Sequence, residues 1–132
     1  LLILPETKIM EMYLKNEYKP LSLDETINMG AKALKILYKN NIPCIRFGLP
    51  ENNEYKGTSI IGPYHPSLKH MIDSKLAYAT MYRKIVKKNI KGKMIAFSVP
   101  EREMSAFIGI KKENIRKIKE VFNLDCQIFP QH

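Results

Sequence analysis

The chain has 132 residues, a net charge of +9 and 45% hydrophobic residues, enough for one ordinary domain or two small ones. No apolar run approaches a membrane span in length, and residues 1–4 lack the basic region of a signal peptide. Cys44 and Cys126 form no metal-type spacing and no secreted disulfide scaffold, so the sequence predicts reduced thiols in a cytoplasmic protein. The first residue is Leu, which predicts a piece of a longer protein.

The first fifty residues follow a strand, helix and strand pattern. Residues 1–5 are a short apolar run that predicts a buried strand, and the stretch from residue 7 predicts a short helix that stops before Pro20. Ser22 and Glu25 have the spacing of a capping box, which predicts the start of a longer helix. Residues 42–49, "IPCIRFGL", predict a second strand. Such a βαβ unit cannot close a barrel, so it predicts either a remnant of a larger sheet or the edge of a small one. Its exposed edge could support a homodimer.

The second half begins after a polar stretch at residues 51–59, which predicts a linker. We therefore expect a βαβ domain over residues 1–58 and a second domain over residues 59–132. The apolar spacing after "GPYHP" predicts a helix over residues 67–88. The remaining predicted elements are a strand at 93–99, helices at 101–109 and 113–122, and a strand at 125–129. Together they predict a βααβ unit.

The positive charge is concentrated in this second half. Residues 1–80 carry 10 Lys/Arg against 8 Asp/Glu, whereas residues 81–132 carry 12 against 5. A polyanionic partner is therefore expected on the second half, although solubility alone also accounts for a basic surface. One basic cluster follows the end of the 67–88 helix, where cations suit the helix dipole. Its members are Lys84, Lys87, Lys88, Lys91 and Lys93.

The βααβ order, with the turn "GIKK" between its helices, resembles the KH fold. In that family a G-x-x-G loop clamps the backbone of about four nucleotides. The stretch "IGIKKENIRKIKEVF" carries the resemblance, with Gly109 in the place of the first glycine and Lys112 in the place of the second. The resemblance implies close approach of a phosphate at Gly109, and it leaves open what Lys112 does to that approach.

Cations around this turn are the candidate nucleic-acid contacts. Lys111 and Lys112 are expected at a helix N-terminus, which favours an anion. Lys112, Arg116 and Lys119 are expected on one helical face. Asn114 is a candidate for hydrogen bonding to a base edge, with a helix-cap or surface role as the alternative. The other interpretations are that the cations form a solvated helix face or meet a protein partner.

The first half resembles a second family. "EMYLKNEYKPLSLDET", "IPCIRFGL" and "GPYHPS" occur in the order found in radical SAM proteins related to the Elongator catalytic subunit, in the bacterial branch without an acetyltransferase domain. The resemblance implies a partial (βα)6 barrel, a [4Fe–4S] cluster, S-adenosylmethionine and modification of tRNA wobble uridines. Two isolated cysteines cannot supply the cluster's ligands, so these cofactors are expected in an upstream barrel of the same protein.

Two further residues are candidates for contact with the substrate or a cofactor. Arg46 is expected near the C-terminal end of its strand, where α/β sheets place ligands, with a surface or salt-bridged role as the alternative. His65 lies between prolines and aromatic residues and is also expected as a structural hydrogen-bonding group. The sequence shows no catalytic triad, no paired catalytic carboxylates, no phosphate-binding glycine loop and no metal-ligand spacing.

The sequence thus predicts an α+β chain, a βαβ barrel remnant followed by a KH-like βααβ domain. Its expected role is non-catalytic: to hold RNA, in particular tRNA, for an upstream radical SAM barrel, with no membrane contact. The alternatives are a stand-alone KH-type RNA-binding protein and a structural or protein-interaction domain.

Overall fold

The computed structural model describes residues 2–49 and 59–131. It divides the chain into two units, Leu1–Lys69 and His70–His132. Helices dominate and a two-stranded parallel sheet completes the secondary structure, which confirms the α+β class. The division falls inside a helix, whereas the sequence placed it at the polar linker, most of which (51–58) lies outside the described residues. No helix in the described ranges is both long and apolar enough to cross a membrane.

The first unit holds helices α1 (Lys8–Leu14) and α2 (Leu23–Lys39). The predicted capping box is confirmed at the start of α2. The Ser22 backbone N–H donates to Glu25 Oε2 at 2.7 Å, and the Glu25 backbone N–H donates to Ser22 Oγ at 3.2 Å. These bonds satisfy two donors that the first helical turn leaves free. Two hydrogen bonds with Ser22 lower the pKa of Glu25. The bond with the Ser22 backbone has the larger effect, and the bond with its side chain has the smaller one.

The two strands predicted on either side of α2 are not formed among the described residues. In the first, Ile3 makes an isolated antiparallel bridge with Ile61, through N–H to carbonyl bonds of 2.8 and 3.1 Å. The segment 42–49 carries no strand through its described length, and Ile45 within it is 94% exposed. A strand exists only with a partner beside it, and no described segment pairs with residues 42–49. Among the described residues this segment offers no strand edge, and the homodimer stays a prediction.

The second unit is built on a βααβ series that follows helix α3. Its elements are α3 (Leu68–Lys87), β1 (Met94–Val99), α4 (Met104–Ile108), α5 (Glu113–Phe122) and β2 (Asp125–Pro130). Short 3-10 turns at Glu101–Glu103 and Ile110–Lys112 precede α4 and α5. Strands β1 and β2 pair in parallel, with Met94 opposite Asp125 and Val99 opposite Pro130. The predicted βααβ order is confirmed.

One face of this sheet carries the core of the second unit. Burial alternates strictly along β1, so Ile95, Phe97 and Val99 point to the helices while Met94 stays exposed. Full burial of such side chains stabilises a fold by about 1.5–3 kcal/mol each. The other buried core members are Met81, Ile85, Ile118, Leu124 and Cys126.

Helices α3 and α5 run side by side in the same direction. Three of the contacts between them show this, because each successive one lies about one turn further along both helices. They are Asn114 Nδ2 to the Ser74 carbonyl at 2.9 Å, Lys117 Nζ to the Tyr78 ring centre at 5.8 Å, and the Tyr82 and Phe122 ring centres at 5.1 Å. The N-terminal end of α5 therefore lies beside the middle of α3, and its C-terminal end lies beside the last turns of α3.

Candidate nucleic-acid interface

The turn between α4 and α5 has an unusual backbone. Lys111 (φ 50°, ψ 35°) and Lys112 (φ 60°, ψ 28°) are consecutive residues in the left-handed region. That region is costly for a residue with a Cβ and favours glycine. The turn therefore has, at Lys112, a backbone that glycine adopts readily, although the sequence places a lysine there. The Lys112 N–H donates to the Gly109 carbonyl at 3.1 Å and closes the turn.

Gly109 is required by packing inside the unit. Its φ is +79°, and an added Cβ would stand 3.0 Å from the backbone nitrogen of Asn114 and 3.1 Å from its Cγ. The KH resemblance implied that a phosphate would approach Gly109 closely. In the structure, Asn114 fills the space next to this glycine. Gly109 shapes the turn, and any anion would be met by the residues that follow it.

Asn114 is not available to a base. It is 3% exposed, and its Nδ2 donates to the carbonyl oxygens of Ser74 at 2.9 Å and Ala106 at 3.0 Å. The predicted base-edge contact is wrong for this geometry because both amide hydrogens are used inside the unit. Asn114 instead ties α5 to α3 and α4, and so it fixes the position of the turn.

The cations of α5 mostly have acidic partners. Arg116 Nε lies 3.9 Å from Glu120 Oε1, and Lys119 Nζ lies 2.9 Å from Asp125 Oδ1. These exposed pairs are weak, about 0–1 kcal/mol, but they reduce the charge offered to a polyanion. Lys111 and Lys112 are exposed and form no ion pair with any described residue. The structure thus leaves the turn as the unpaired cationic part of the predicted site.

Arg46 and His65 belong to the first unit. Arg46 is exposed, and its carbonyl accepts a bond from Cys44 Sγ at 3.1 Å. His65 Nδ1 accepts the Ser67 N–H at 3.0 Å, and its carbonyl accepts the Leu68 N–H at 3.1 Å. His65 therefore holds the turn that leads into α3, a structural hydrogen-bonding role of the kind that the sequence allowed. Neither residue is joined to the other by a hydrogen bond in the described structure.

The described residues do not form a metal centre. They contain no group of three or more His, Cys, Asp or Glu that could hold a metal ion. Burial raises the pKa of the Cys126 thiol to about 11, so this sulfur stays protonated and is a poor metal ligand. The residues present therefore do not fit the ligand set of an iron–sulfur cluster.

Comparison with known proteins shows the family to which the chain belongs. Residues 1–78 match the radical SAM C-terminal domain family, and because this is more than half of the 132 residues, the chain belongs to that family. The match covers α1, α2 and the first half of α3, and it ends before β1. No curated protein matches the chain, and no solved structure matches it.

Proposed function

We propose that this chain is the C-terminal region of a radical SAM enzyme of the Elongator-like kind, and that its KH-like second unit holds RNA, with tRNA as the substrate class. The chain itself supplies no catalytic group; an upstream barrel of the same cytoplasmic protein acts on the RNA. The single observation that carries this proposal is the Lys111–Lys112 turn, which presents two adjacent unpaired lysines at the start of α5.

The turn suits a phosphate for three physical reasons. The Glu113 N–H donates to the Ile110 carbonyl, but the N-cap residue Lys112 offers no side-chain acceptor to the N–H groups that follow it. The helix dipole adds partial positive charge at the same end. Lys111 and Lys112 supply two full charges, and they lose no partner when an anion arrives. The close packing of Gly109 against Asn114 shapes the turn before the RNA binds, which in this proposal reduces the entropy lost on binding.

The radical SAM class supplies a [4Fe–4S] cluster and S-adenosylmethionine when loaded, and these belong to the upstream barrel in this proposal. This chain's contribution is binding and orientation alone. Because the family match ends at residue 78, the RNA-binding role rests on the geometry of the second unit and not on the match.

Charge removal at the turn tests the proposal. We expect a tRNA pool to bind the full chain, and Lys111→Gln/Lys112→Gln to weaken this binding for all sequences alike. Two lost phosphate contacts should reduce the slope of log affinity against log salt by about 1.4–1.8. Fluorescence anisotropy at several salt concentrations measures both quantities. The control is Lys32→Gln/Lys35→Gln, which removes the same charge from the exposed face of α2. Equal salt slopes in the two variants would exclude the turn as the binding site.

A protein-interaction role is the second candidate, and the uncovered face of the sheet favours it. Met94 and Phe129 are large exposed apolar residues on that face. A protein partner or a second copy of the chain could cover them. Analytical ultracentrifugation detects a homodimer directly, and indifference to RNA at low salt would favour this candidate over RNA binding.

A further inference from the structure

The densest unpaired charge in the second unit lies away from the Lys111–Lys112 turn. Residues 83–93 contain six cations and no acidic residue. All six are exposed, and none forms an ion pair with a described residue. The helix dipole accounts for cations in the last turn of α3, but its effect does not extend to Lys91 and Lys93, which follow the helix. We call Arg83, Lys84, Lys87, Lys88, Lys91 and Lys93 the α3 basic end.

An aromatic ring borders this basic end. Tyr82 is 41% exposed, and its ring packs on Phe122 with centroids 5.1 Å apart. Arg83 and Lys87 lie four residues apart, so these two cations share a face of α3 that adjoins the face carrying Tyr82. Arg83 Nε donates to the Ala79 carbonyl at 3.1 Å. Phe122 contacts the ring from α5, and Tyr78 contacts it from within α3 with centroids 6.1 Å apart. The exposed part of Tyr82 is therefore an apolar surface next to a cationic face of the same helix.

The parallel packing of α3 and α5 places this surface at the opposite end of α5 from the Lys111–Lys112 turn. A helix of 10 residues is about 15 Å long. An extended polyanion could therefore meet both cationic sites, one at each end of α5. The ion pairs of Arg116 and Lys119 lie between them.

We propose that Tyr82 and the α3 basic end form a second RNA contact, selective for single strands. An unpaired base stacks on the Tyr82 ring, and Arg83 and Lys87 neutralise the flanking phosphates. This inference rests on the proposed function, because it needs RNA to be the partner. Stacking requires an accessible base face, which a duplex does not offer along its length. An anionic membrane would use the cations but not distinguish a base.

Oligonucleotides with and without bases test the stacking step. We expect the full chain to bind a uridine ten-mer about tenfold more tightly than an abasic ten-mer of equal charge. Tyr82→Ala should remove most of this difference, whereas Tyr82→Phe should keep it because the ring remains. A base-paired ten-mer carries about twice the phosphates, so its affinity differs, but Tyr82→Ala should leave that affinity unchanged because its bases do not stack on the ring. Arg83→Gln/Lys87→Gln should weaken both strands alike and lower the salt slope by about 1.4.

A second measurement needs no substitution. Ultraviolet crosslinking of the wild-type chain to the uridine ten-mer should attach RNA to a peptide that contains Tyr82, as mapped by mass spectrometry. Crosslinks confined to the 109–112 turn would overturn the second contact and leave the proposed function standing. Absence of any RNA binding would overturn both proposals. Equal affinity for uridine and abasic strands, or a preference for anionic phosphatidylserine vesicles over RNA, would overturn base stacking.

Discussion

Two lysines in a glycine-like conformation are the main residue-scale feature of the turn. A residue with a Cβ pays about 1–2 kcal/mol in the left-handed region, and Lys111 and Lys112 both occupy it. The surrounding packing sets this conformation, because Asn114 is tied to both neighbouring helices immediately after the turn. The fold thus keeps two cations where glycine would be less strained.

This strain predicts the effect of restoring a glycine. We expect Lys112→Gly to raise the free energy of unfolding by about 1 kcal/mol, because the backbone conformation is retained and the Cβ clash disappears. Urea denaturation measures the change. The matched control is Lys75→Gly, an exposed site within α3, where the same replacement should lower stability by about 1 kcal/mol. A loss of stability in both variants would show that Lys112 is not strained.

At this scale the sequence predicted residue positions better than residue roles. Lys111 and Lys112 do lie at the start of a helix, as the spacing indicated. The role of Asn114 depended on burial against α3, a helix forty positions away in the chain, which no local pattern reveals. Likewise, the pairing of Lys119 with Asp125 arises only when β2 packs beside α5.

At the scale of elements, α2 shows how local chemistry defines a boundary. Ser22 and Glu25 exchange hydrogen bonds across the first turn, and the exposed helix N-terminus gains two acceptors. This motif needs only four residues of sequence, and so it was predictable. The strand predicted at residues 42–49 is not formed, because an apolar run indicates burial but does not specify which segment will pair with it.

Removal of the cap should loosen α2. We expect Ser22→Ala to cost about 1 kcal/mol, seen as faster amide hydrogen exchange in the first turns of the helix. Glu25→Gln keeps the reach of the side chain and should cost less. The Glu25 pKa is lowered from 4.5, so the contribution of the charged side chain is present above that pH and is lost as the pH falls below it. Equal exchange rates in wild type and Ser22→Ala would contradict the role of the cap.

At the scale of the whole molecule, the buried thiol of Cys126 links the folding of the second unit to pH. Burial raises its pKa from 9.0 to about 11, so the unfolded chain releases this proton more readily than the folded one. The stability that the buried, protonated thiol contributes is fully present below pH 9 and is lost as the pH rises towards 11. Two pKa units correspond to about 2.7 kcal/mol at most.

The difference between variants isolates this effect from the titration of lysines and tyrosines. Cys126→Ala should lose less stability than wild type between pH 9 and 11, as measured by urea unfolding at each pH. Cys44→Ala removes the other thiol, which is only partly buried, and serves as the matched control. Parallel pH profiles for wild type and Cys126→Ala would show that the thiol is not desolvated.

The continuity of α3 determines where the second unit can be cut from the chain and fused to another protein. One uninterrupted helix holds Leu68 and Lys69 of the first unit and the residues of the second from His70 onward. A chain begun at residue 70 would lose the opening of that helix, together with the turn that the His65 hydrogen bonds hold before it. A gene fusion that transplants the second unit onto another protein should therefore join before His65. The segment to transfer therefore includes all of α3 and the turn held by His65, and it begins before the second unit itself.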